Sequence, residues 1–142
     1  MKLLNILKIP LLFSRAWKYN SKNEEAIKYL HEDKFDDALI SARVAISFGT
    51  KYSLEARMLE AMALNYLKRF DESAMSFSIA MEIISKKKGL SIFDKNYLYV
   101  YCYSFFKTHG WPSSIPRHDQ FPELPPYDSV NSKIRKTYPM KY

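Results

Sequence analysis

Side chains able to do chemistry are few in this chain and stand far apart. His31, His109 and His118 are its three histidines and Cys102 its one cysteine. They form no metal-ligand spacing with one another or with carboxylates. The chain has no phosphate-cradling glycine loop, no glycine-flanked serine and no metalloprotease motif. Carboxylates do come in pairs, Asp36/Asp37 and Asp71/Glu72, the arrangement a general acid and base would need. Both pairs sit at the start of a helical pattern, where negative charge offsets the positive end of the helix dipole. A structural origin is the simpler reading. The sequence therefore predicts no catalytic residue, no cofactor, no metal and no enzyme. Cys102 lies in an apolar run and reads as a small buried side chain. A lone cysteine allows no internal disulfide, and nothing argues for an oxidising compartment.

The acidic pairs recur because the chain resembles itself at an offset of 35 residues. Ala26 falls on Ala61, Ile27 on Met62, Lys34 on Arg69, Phe35 on Phe70, Ala45 on Ala80 and Ile46 on Met81. A period in this range signals stacked supersecondary units, and it outranks local propensity. Each copy holds a helical pattern, a short polar break before an aromatic, and a second helical pattern carrying alanines. One copy reads Ala26-x-x-Tyr29, Phe35-Asp36-Asp37-Ala38, Ala42-x-x-Ala45, and the other Ala61-x-x-Leu64, Phe70-Asp71-Glu72-Ser73, Phe77-x-x-Ala80. Ala26, Ala45, Ala61 and Ala80 would let antiparallel helices approach closely, with the aromatic after the turn filling the wedge between them. A third copy begins, with Phe105 at twice the offset, and stops before Pro112 and Pro116.

The pattern resembles the tetratricopeptide repeat (TPR) family over about 65 residues. It departs from that family at Arg57, where an aromatic is usual, and at Asp33 and Lys68, where the turn usually has glycine. The resemblance implies an all-α fold, a short TPR-like solenoid of helical hairpins with about five helices. It also implies that the first helices line a groove for a peptide or helix, through Asn23, Ile27 and Leu30 in one copy and Glu55, Met58, Met62, Asn65 and Tyr66 in the other. Methionines beside a tyrosine make an adaptable apolar surface.

Local signals give the boundaries. Ser21 and Glu24 form a capping-box pattern before a helix running to about Glu32. Further helices are expected at about 35–48, 53–67, 70–86 and 94–110. Gly49, Gly89 and Gly110 each follow one of these segments, and Gly49 is expected to end its helix in the left-handed conformation. Tyr97, Tyr99, Tyr101 and Tyr103 alternate as in a strand, but the repeat register favours helix. The Lys86-Lys87-Lys88 run complements a helix C-terminus, which makes a nucleic-acid reading unnecessary.

Three regions result: a basic amphipathic segment over 1–22, a repeat domain over 23–108 and a Pro/aromatic-rich extended tail over 109–142. The net charge of +7 resides at the ends, +5 in residues 1–22 and +3 in residues 107–142, with the repeats near neutral. Leu3, Leu4, Leu7 and Leu11 gather on one side of a helix and Lys8 and Arg15 on another, with Pro10 expected to kink or divide it. The segment is too charged and too short to span a bilayer and lacks a cleavage site. Three uses fit it: a cap on the first repeat, attachment to an anionic membrane surface, or insertion into a partner. The residues for attachment are Lys2, Lys8, Arg15, Trp17 and Lys18. The tail's aromatics would lie over the last helix or a neighbour's groove. The expectation is a non-enzymatic adaptor or assembly subunit in the cytoplasm with a protein partner. A peripheral membrane protein is the alternative, and nucleic acid is disfavoured by the neutral repeats.

Overall fold

In the computed structural model, residues 2–49, 53–86 and 105–111 are described, apart from the side chains of 2–14 and 84–86. The described residues form helices joined by turns, with no strand among them. The helices are α1 (Lys2–His31), α2 (Phe35–Phe48), α3 (Leu54–Tyr66) and α4 (Phe70–Lys86), followed by a helical stretch over 105–109. Each helix packs on the next, and α1 also touches α3, as stacked hairpins require.

The repeat can be followed bond by bond through the two turns. Asp33 and Lys68, 35 residues apart, are left-handed with φ of 58° and 62°. The Asp33 N–H donates to Leu30 (3.2 Å) and that of Lys34 to Tyr29 (2.8 Å); Lys68 donates to Asn65 (3.0 Å) and Arg69 to Leu64 (2.9 Å). These are paired Schellman closures, which satisfy the last carbonyls of α1 and α3. Position 33 or 68 is where glycine would be free of strain, and neither copy has it. After each turn the acidic pair occupies the first turn of the next helix.

The alanines do what their spacing suggests. Ala26, Ala45, Ala61 and Ala80 have no exposed surface, and neither do Ala38 and Ala42. Close approach is visible where the buried Ser73 hydroxyl donates to the Ala61 carbonyl at 2.6 Å, tying α4 to α3. Glu60 links three helices, receiving Arg43 of α2 at 3.2 Å and Ser76 of α4 at 2.6 Å. Where the offset replaces Ala42 with Phe77, the larger ring fills space against the next helical stretch, 5.0 Å from Phe105 and 6.2 Å from Phe106.

Two expectations are corrected. Ser21 does not start a helix: α1 is helical without a break from Lys2 to His31, through Pro10 and the expected boundary at residue 22. Residues 15–20 contain no glycine or proline, and Tyr19 is held against Gly49 and the start of α3, so nothing interrupts the ladder there. Gly49 is not left-handed; its φ of −74° and ψ of 172° are extended. Its requirement is for space. A Cβ at Gly49 would overlap the Ser53 hydroxyl and come within 3.1 Å of the Tyr19 ring. Gly110, by contrast, has φ of 93° and closes the last stretch by donating to Phe106 at 2.7 Å. Gly89, Cys102, the tyrosine run, the lysines at 87 and 88 and the tail beyond Trp111 lie outside the described residues.

Candidate partner-binding surface

The first helices of the hairpins hold the residues expected to form a groove, and burial divides them. Leu30, Met58 and Met62 have no exposed surface and belong to the central apolar cluster with Leu59, Phe77 and Met81. Asn23 is 2% exposed. These four are corrected from surface to core: the packing of α2 against both α1 and α3, and of α4 against α3, covers them, so they do not line an opening. Ile27, Glu55, Asn65 and Tyr66 remain partly exposed.

The buried polar groups on this side are poorly satisfied. Asn65 Oδ1 and Arg57 Nε are buried with no hydrogen-bond partner among the described residues. Asn23 stands beside Tyr19, whose hydroxyl also faces the backbone N–H groups of Ala56 and Glu55 at the start of α3. Ser53, at the N-cap position, makes no side-chain cap bond, so the phenol of a different helix covers that end. Burial pushes the Tyr19 hydroxyl above its ordinary pKa, against the opposing pull of these donors.

Asn65 and Tyr66 continue into a cleft of about 320 Å³ at the C-terminal end of α3. Lys68, Phe70, Phe105, Thr108 and His109 complete its lining. The cleft is built by the repeat itself. In the first hairpin, Phe35 stacks on Tyr66 of the next helix at 4.7 Å and closes the wedge. Its equivalent, Phe70, meets the shorter His109 ring at 4.8 Å and stays 41% exposed. His109 also packs on Phe105 at 4.5 Å, so three rings form one wall. Arg69 makes a two-pronged bond to Glu72 just outside the cleft, which holds the Glu72 carboxyl below its ordinary pKa. Apolar walls with an amide, an ammonium and an imidazole at the edge suit a partner's side chain bearing both apolar and polar parts.

Sequence reasoning named Phe70 as a wedge filler but missed the cleft, because Thr108 and His109 belong to a third copy that the repeat barely reaches. It also missed a repeated surface feature. Ile40 is 62% exposed and Met75, at the same offset of 35, is 67% exposed. The alignment of the two copies contained that signal.

No family model, curated protein or solved structure matches the chain. The site therefore stands on its own geometry.

Of the attachment residues, Arg15, Trp17 and Lys18 are exposed, Trp17 at 69%. The Lys18 ammonium lies 5.3 Å from the centre of the Phe48 ring. The side chains of Lys2 and Lys8 lie outside the described residues. His31 is exposed at the end of α1, and no group of three potential metal ligands occurs among the described residues.

Proposed function

We propose that this chain is a protein-interaction module, a cytoplasmic adaptor or assembly subunit built of TPR-like hairpins. It holds a peptide or helix of a protein partner along the accessible edge formed by Ile27, Glu55, Asn65 and Tyr66 and anchors it in the adjoining cleft. The cleft carries this reading: an incompletely closed aromatic wedge continuous with the groove-side residues, large enough for one bulky side chain of a partner. Anchoring through a few well-packed aromatic contacts is how such surfaces concentrate their binding energy. The repeated exposed positions Ile40 and Met75 give the opposite use of the same architecture, a regular apolar contact on the second helices.

Crosslinked purification of the tagged chain from its native cells tests the reading. One stoichiometric protein is expected, crosslinked through Lys68 at the cleft edge and lost tenfold or more on Phe70→Ala, in keeping with the ~2 kcal/mol cost of truncating an anchoring residue. Retention of the partner by Phe70→Ala, with crosslinks gathered on another face, would remove the cleft from the account.

A further inference from the structure

The second helices of the two hairpins, α2 and α4, present exposed apolar side chains at equivalent positions, Ile40 at 62% and Met75 at 67%. The two flank one seam. The Glu60 carboxylate beneath it receives both Arg43 of α2 and Ser76 of α4. Arg43 also lies within electrostatic reach of Glu72, and Arg69 within that of Asp36. Helical spacing puts Ile40 on the side of α2 that carries Asp36 and Arg43, and Met75 on the side of α4 that carries Glu72. Charge along the seam is unbalanced. Arg43 and Arg69 are committed to Glu60 and Glu72. Asp36, Asp37 and Asp71 are exposed, and no cation bridges them among the described residues. The seam thus offers two apolar contacts set among carboxylates that lack a counter-charge.

We propose that the chain's own C-terminal segment, residues 133–142, docks along this seam. Lys133, Arg135, Lys136 and Lys141 give that segment four cations and no acid, the complement of the unbridged carboxylates. Ile134, Tyr138 and Met140 stand among them and supply apolar contacts for Ile40 and Met75. Geometry excludes the chain's other basic end. Lys18 and Tyr19 of α1 lie against Phe48 and Gly49, at the end of α2 remote from Asp36, and α1 continues unbroken past that point to Lys2. The tail, by contrast, has the reach. It departs from Trp111, which packs on Phe106, itself in contact with Phe77 of α4. Residues 112–132 span up to about 70 Å when extended, against the roughly 20 Å width of two packed helices. Tethering also holds the segment at an effective concentration on the order of 1 mM, an advantage over any separate molecule. Two copies of the chain packed seam to seam would instead set unbridged carboxylates against one another. This inference goes beyond the proposed function and uses none of the cleft residues.

The test uses the full chain. A carbodiimide, which joins carboxylates directly to amines, is applied to an equal mixture of light and isotopically heavy protein. Crosslinks are expected from Asp36, Asp37 or Asp71 to Lys133, Lys136 or Lys141, each wholly light or wholly heavy and therefore within one molecule. Cleavage by trypsin after Lys133, Arg135 and Lys136 should quicken about fivefold in a chain carrying Asp36→Asn with Asp71→Asn. Ile40→Ser with Met75→Ser should quicken it by a similar factor. All four replaced side chains are exposed, so helical circular dichroism is expected to stay as in the parent. Raising salt from roughly 0.05 to 0.3 M should speed cleavage of the parent and change the asparagine variant little. Crosslinks between a light and a heavy molecule would assign the seam to a second copy and overturn the proposal. So would tail crosslinks that are absent or gathered on another face, or equal cleavage of the parent and both variants. Capture of a partner through Lys68 does not involve these positions, so failure here leaves the cleft reading untouched.

Discussion

Replacing Lys68 by glycine is expected to stabilise the protein. Lys68 has φ of 62° in the turn between α3 and α4, is exposed, and contributes mainly its backbone N–H, which donates to Asn65. A left-handed conformation costs a residue with a Cβ roughly 1–2 kcal/mol. Glycine removes that cost and gives back about 0.5–1 kcal/mol through its greater freedom in the unfolded chain. The net gain is about 0.5–1 kcal/mol, or a rise in Tm of about 2–4 °C for a chain of this size. Asp33→Gly, at the matching turn, should gain less, because aspartate tolerates this conformation better than lysine. Thermal unfolding followed by circular dichroism measures both, with Lys68→Ala as control, since alanine keeps the Cβ. A Tm that falls with Lys68→Gly, or rises as much with Lys68→Ala, would refute the argument that backbone strain is stored in these turns.

Met62→Ala should cost about 2–5 kcal/mol in chemical denaturation, the range for emptying a core site; a change below ~0.5 kcal/mol would return Met62 to the surface. Gly49→Ala should destabilise by about 1–3 kcal/mol through crowding at Ser53 and Tyr19, with part recovered in the double variant with Ser53→Ala. A Gly49→Ala protein as stable as its parent would contradict the contact. Tyr19 has a raised pKa in the folded chain, so its contribution is present in full below its ordinary value of 10.0 and is lost as pH rises through the folded value. Tyr19→Phe should therefore flatten the alkaline fall of Tm, and an unchanged alkaline limb would show that other groups govern it.

The architecture was legible because a repeat reports its own register. Phe35 and Phe70 open α2 and α4 as their positions predict, and the alanines that were to bring helices together are without exposed surface. What could not be read was which apolar residues face inward between neighbouring helices. Met58, Met62 and Leu30 look alike in sequence whether they line a groove or fill a core, because both uses need the same helical period. The continuity of α1 was hidden for a different reason. Ser21 and Glu24 match a capping box in type and spacing, yet a capping box begins a helix only where the preceding residues leave it. Here the contacts of Tyr19 with a distant glycine and a distant helix start hold them in it. The cleft depended on how far a third copy continues, which Phe105 marks in the sequence and His109 completes only in space.

The unbroken course of α1 has a mechanical consequence. A flexible leader would act as a tether, leaving the hairpins free to swivel about any attachment. A single helix of 30 residues, roughly 45 Å long, acts as a lever arm instead. Its far half is continuous in one helix with Tyr19, which lies against Gly49 and the start of α3, and with the buried Asn23 and Ala26. Whatever grips residues 2–17 therefore fixes the tilt and bearing of the hairpins as well as their distance. Torque applied there is felt at the interior packing of both repeats.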